Sequence, residues 1–230
     1  LGEFTRTNIS GNWQSSNALH ANLNMNFHTG ESEDTPDNSV IITTQFENYL
    51  TYNKMPYYYR LRHLSEYGTS KDAGDPFRKN IDNFDLKNTF IYFLSTYLGI
   101  YSRFDINSHF FQGFYHREQD FNFIKQNTAN QITKREMNQN SVLTTPYIYP
   151  LKMKEGVGIN FRLFNRPRAH LNLRSGFGLR QDYMDGVFEL VNPSYIPTGE
   201  DTEYRLYQEN KTIHNIGTEF SLVGNFNLPF

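Results

Sequence analysis

"RAHLNLRSGFGLRQDY", residues 168–183, alternates without a break. Ala169, Leu171, Leu173, Ser175, Phe177 and Leu179 take one side; His170, Asn172, Arg174, Gly176, Gly178, Arg180 and Asp182 take the other. A repeat of two is the mark of an extended strand, whose successive side chains leave on opposite faces. The solvent each face meets decides the fold. An apolar side turned into a protein core makes a soluble barrel or sandwich, whereas one turned outward needs lipid.

The same repeat recurs along most of the chain. Residues 18–28, 40–52, 57–67, 82–94, 97–111, 149–164 and 212–228 read as strands, and 3–12 as a short ninth. In 40–52, Val40, Ile42, Phe46, Leu50 and Tyr52 oppose Thr43, Gln45 and Glu47. In 149–164, Leu151, Met153, Val157, Ile159, Phe161 and Leu163 oppose Lys152, Lys154, Gly156, Gly158, Asn160 and Arg162. No stretch holds a sustained helical period; the best helical candidate is the polar segment 117–140.

The connections discriminate better than the strands. Tight turns at "NKMP", "LST" and "NRP" alternate with long segments at 28–39, 68–79, 112–146 and 184–211. Transmembrane barrels have short periplasmic turns and long extracellular loops, a pattern a sandwich has no reason to adopt. The strands, about 11 to 17 residues, exceed the usual five or six and suit a tilted membrane crossing. Tyrosines gather near strand ends, at Tyr57–Tyr59, Tyr92 and Tyr97, as in interfacial girdles.

Composition agrees. The chain has 230 residues, including 16 Tyr, 20 Phe and no Cys, so disulfides and thiolate chemistry are excluded. A net charge of −2 gives no case for a nucleic-acid partner. The mean hydropathy of −0.67 is that of a soluble protein, but a membrane barrel turns only half its residues to lipid. The expectation is an all-β, antiparallel up-and-down transmembrane β-barrel of one domain, 1–230, with long inserts at 112–146 and 184–211, located in a bacterial outer membrane. Its partners are then the bilayer and lipopolysaccharide. A soluble lipocalin-like barrel remains the alternative. Eight strands are clear, a permitted even number; a ninth at the start points to ten or twelve in a longer chain. The opening "LGEFTRTN" is that of a mature chain freed of its leader, or of one with missing ends. The closing "GNFNLPF" resembles a barrel-assembly signal, although Pro229 cannot donate to a ladder.

The stretch 154–183, "KEGVGINFRLFNRPRAHLNLRSGFGLRQDY", with a G-x-G strand, a short turn and a second "GFG", resembles the salt-induced outer-membrane barrel family of unknown function. The opening "NISGNWQSSNALHANLNMNF" is similar to that family's first hairpin, and a related Bacteroidetes-type outer-membrane barrel family is nearly as close. The resemblance implies fold and location, and it brings no catalytic residues.

The inward face of the barrel collects Lys152, Lys154, Arg162, Arg174 and Arg180 with Glu47, Asp85, Asp105 and Glu219. Charges so enclosed must be paired, so they read as a lumen network, or alternatively as the constriction of a small channel. If "NRP" closes a hairpin, Gly156 falls opposite Gly176, and Lys154 and Arg174 can fold across the bare wall. His63 and Ser65, at i and i+2, share the apolar face; a His-x-Ser pair of this kind occurs in outer-membrane lipid hydrolases, although Glu66 follows where those have Asn. Neither a metal nor a cofactor is expected, and the chain reads as non-enzymatic. Its role is then structural or in assembly, with the long loops docking another outer-membrane protein or a surface glycan.

Overall fold

The computed structural model describes residues 2–27, 38–72, 78–166, 169–190, 203–208 and 212–226. Among these are thirteen strands and no helix. In chain order they are β1 (Gly2–Ser10), β2 (Trp13–Phe27), β3 (Asn38–Lys54), β4 (Tyr57–Asp72), β5 (Arg78–Phe93), β6 (Leu98–Ser108) and β7 (Gly113–Gln126). There follow β8 (Ile132–Thr145), β9 (Leu151–Arg166), β10 (Ala169–Tyr183), β11 (Phe188–Leu190), β12 (Glu203–Gln208) and β13 (Ile213–Phe226). Nine build one antiparallel sheet in the order β1-β2-β3-β4-β5-β6-β9-β10-β13. The ninth strand of that sheet is β1, so the eight clear strands of the sequence undercount it by the short one. Its edges are β1 and β13.

Sequence alternation sorts this sheet into two unlike faces. One carries Leu19, Leu23, Ile42, Phe46, Phe90, Ile100, Phe104, Ile159, Phe161, Phe177, Ile216, Phe220 and Leu222, each with more than a third of its surface exposed. The other carries most of the charged residues, Glu155 and Asp82 being on the apolar side, together with Ile91, Phe93, Tyr101 and Asn160, which are buried. That second face is concave, because one cavity touches side chains from β2, β3, β4, β5, β9, β10 and β13. The usual arrangement of a soluble protein is inverted: the polar side is inside the curve and the oily side is out.

The sheet has a short-turn end and a long-connection end. Gly11–Asn12 join β1 to β2 with the first residue left-handed (φ +60°), a conformation glycine adopts without a Cβ clash. Met55–Pro56 and residues 94–97 close the next two hairpins at the same end. At the opposite end β6 and β9, which pair with each other, are separated in sequence by the β7–β8 hairpin.

That hairpin is where structure and sequence reading part. Segment 117–140, the helical candidate inside an expected loop, falls in β7 and β8. With β11 and β12 they form a second sheet, β11-β12-β7-β8, in which β12 runs parallel to β7. It has its own core of Phe123, Val142, Tyr204 and Leu206, flanked by Tyr115, Phe121, Phe188 and Leu190. The inserts 112–146 and 184–211 thus meet in one packed unit. The acidic loop 28–37, residues 191–202 and the closing residues 227–230 lie outside the described residues.

Candidate functional site

The concave face is built in layers along the strands. Its middle layer is ion-paired. Arg62 Nη2 lies 2.8 Å from Glu47 Oε1, which also accepts a 2.7 Å hydrogen bond from the Tyr49 hydroxyl. Lys87 Nζ is 2.8 Å from Asp85, and Arg103 Nε is 3.3 Å from Asp105. Toward the long-connection end Arg180 grips Asp182 through two hydrogen bonds of 3.0 and 2.6 Å. Enclosed charges keep their ionised form at acceptable cost only when so partnered.

The glycines set the longest of these contacts. Gly158 pairs with Gly176, and Gly156 with Gly178. The expected pairing of Gly156 with Gly176 is therefore corrected by two residues. Arg166 is itself a strand residue paired with Ala169, and a bulge between Leu171 and Asn172 then shifts the register. A Cβ on Gly158 would lie 2.2 Å from the Ser175 carbonyl oxygen, and one on Gly176 equally close to that of Val157. On Gly156 it would meet the Glu219 carboxylate at 2.5 Å. Glu219 reaches from β13 over this bare strip to bond Arg103 on β6. Glu219 thus crosses the strip from β13, and Arg174 reaches over β9 from β10 to the ring of Tyr101, the ladder partner of Gly158.

Below the ion-paired layer, at the short-turn end, lies a cavity of about 450 Å3. Arg60, Arg162 and Arg174 line it, and none of the described residues lining it is acidic. Each guanidinium is placed over a ring: Arg162 over Phe93 at 3.9 Å, Arg60 over Tyr49 at 5.4 Å, Arg174 over Tyr101 at 5.8 Å. Arg174 Nε also donates to Asn160 Oδ1 at 3.3 Å.

Of the nine charged residues singled out in the sequence, Glu47, Asp85, Asp105, Glu219 and Arg180 stand in these ion pairs, and Arg162 and Arg174 stand in the cavity. Lys154 sits across the ladder from Asp105, and Lys152 from Asp182, with no ion pair to either residue. The basic partners Arg62, Lys87 and Arg103 were not in that set. Their signal was present, since Lys87 and Arg103 each lie two residues from a chosen inward position on their own strands and Arg62 shares the inward phase of β4.

His63 and Ser65 occupy the apolar face, as the phasing of β4 requires. His63 Nε2 and Ser65 Oγ are 2.7 Å apart, and the rings of Phe46 and Phe84 flank the imidazole. Among the described residues no carboxylate meets the imidazole. Asn48, across the ladder from His63, donates its amide to Asn17. The strand is paired on both sides, so the neighbouring amides are committed to ladders.

In the second sheet Glu136 holds Lys134 at 3.0 Å and Lys125 at 3.2 Å. Burial pushes its carboxyl up, but the hydrogen bonds from both lysines outweigh this and hold it below the usual 4.5. Among the described residues no group of three or more His, Asp or Glu is placed to hold a metal.

A family model described as a protein of unknown function (DUF3078) matches residues 31–114, from before β3 into the start of β7. Neither a curated protein nor a solved structure matches. The matched segment contains Glu47–Arg62, Asp85–Lys87 and His63–Ser65, but neither the glycine strip nor two of the three cavity arginines.

Proposed function

We propose that the chain is a bacterial outer-membrane β-barrel protein that acts as a structural or assembly component, with the second sheet as its docking surface. The supporting observation is the inverted sidedness of the nine-stranded sheet. A face bearing so many exposed Leu, Ile and Phe side chains far exceeds the apolar patch a soluble monomer presents. Lipid is the solvent that fits it, and the ion-paired concave face fits a lumen. In that setting the backbone groups of β1 and β13 must also be satisfied, by each other or by further strands. The short turns face the periplasm and the second sheet faces out of the cell. A packed sheet with its own core, inserted between two paired strands, offers a fixed surface to another outer-membrane protein or a surface glycan.

The channel is the competing reading, and the concave cavity favours it. Against it stands the layer above that cavity, where Tyr101 and Asn160 are fully buried and Glu219 spans to Arg103. Such a layer fills a small lumen with side chains. Planar-bilayer recording on the refolded full chain tests this. Insertion without discrete current steps is expected. Steady conductance steps would replace the structural reading by the channel, and a chain that stays monodisperse without detergent would contradict the membrane reading itself.

A further inference from the structure

The cavity at the short-turn end has a charge pattern that, among the described residues, no other part of the concave face shares. Arg62, Arg103 and Arg180 each hold a carboxylate, whereas Arg60, Arg162 and Arg174 hold none among the described residues. The acid nearest along β3, Glu47, is taken by Arg62 and Tyr49. Three guanidiniums in one half-enclosed space repel one another unless an anion joins them.

Their setting also narrows the kind of anion. A guanidinium lying on a ring has its face covered, and although Arg174 spends its Nε on Asn160, the N–H edges match the oxygens of a phosphate or carboxylate. Hydroxyl groups of Ser16, Thr51 and Tyr58 and the amide of Asn172 add neutral polar groups to the lining. Ile91, Phe93 and Val223 give part of the wall an apolar character that a bare inorganic ion does not use. A volume of about 450 Å3 admits a small organic body beside the anionic group.

We infer that this cavity is a binding site for an organic phosphomonoester, held by Arg60, Arg162 and Arg174 and entered from the short-turn end. The site itself is independent of the membrane reading; only its opening toward the periplasm rests on it.

Isothermal titration of the detergent-refolded full chain with phenyl phosphate tests the site. Saturable binding that weakens as salt rises is expected, because the attraction is charge-assisted. Benzylamine, the same ring with a cation, gives no heat. Arg60→Gln and Arg162→Gln each raise Kd about tenfold or more. Arg60 is exposed, so its substitution removes a guanidinium without disturbing packing. Arg162→Lys, which keeps the charge and loses the stacked plane, recovers only part of the affinity. Competition by dioctanoyl phosphatidic acid assigns the phosphate to a lipid head group, and failure to compete assigns it to a soluble solute. No heat with phenyl phosphate, or a Kd unchanged in both glutamine variants, overturns the site. Liposome insertion, read on the same preparations, separates this failure from failure of the membrane reading.

Discussion

Single atoms decide the shape of the concave face at the glycine strip. Gly158 and Gly176 face each other so closely that a Cβ on either would fall 2.2 Å from a carbonyl oxygen of the paired strand. Gly217 has open space where its Cβ would go. Gly158→Ala therefore destabilises the β9–β10 ladder by about 1–3 kcal/mol or more, whereas Gly217→Ala stays within about 0.5 kcal/mol of the parent. Urea unfolding of both variants in lipid vesicles, followed by fluorescence of the single tryptophan, Trp13, measures the difference. The alternation of 168–183 made legible which residues share a face, including the glycines and Glu219. It could not give the pairing of Gly158 with Gly176, because a bulge moves the register, and a bulge leaves no mark on a two-residue repeat. The span from Glu219 to Arg103 was hidden for the same reason, as it depends on which glycines line up.

Elements differ in how openly their sequences declare them. The long strands of the first sheet pair in near-perfect register, so their period of two survives and their bounds fall within five residues of the sequence reading, with 68–72 and 78–79 of an expected long connection belonging to β4 and β5. The β7–β8 hairpin is interrupted by four register shifts, and Asn138 takes a left-handed conformation (φ 50°). Each shift resets the alternation, leaving segment 117–140 looking polar and aperiodic. The parallel pairing of β12 with β7 joins residues about 80 apart and has no local signature at all. What holds this sheet is a small core plus the Lys125–Glu136–Lys134 contact, and that contact is sensitive to acid. Glu136 has its carboxyl held below its ordinary value in the folded state. Its contribution is complete above about 4.5 and is lost as pH falls through the lowered value. Hydrogen exchange at pH 7 and pH 3 is expected to show β7 and β8 losing protection on acidification while β3 and β4 keep theirs. Glu136→Gln should lower protection of the hairpin at pH 7 and flatten its pH response. Equal loss in both sheets would show that the second sheet has no stability of its own.

For the molecule as a whole, sidedness is the central matter. Local alternation is the same in a soluble barrel and a membrane barrel, so a strand alone does not say which way its oily face points. The alternation of long and short connections supplied that direction in the sequence, and the curvature of the nine-stranded sheet, with Arg103 meeting Glu219 across it, matches it. The family match over 31–114 assigns no role, so function rests on this sidedness and on the cavity arginines. A chain without cysteine lets the face be read position by position. Single cysteines placed from Ile216 to Leu222 on β13, spin-labelled and reconstituted in lipid vesicles, report local access to oxygen, which concentrates in hydrocarbon. The predicted result is a two-residue oscillation with high oxygen access at 216, 218, 220 and 222 and low access at 217, 219 and 221. The opposite phase, or low oxygen access at Phe220 and Leu222, would contradict the account, because it would place the oily face of the sheet against protein.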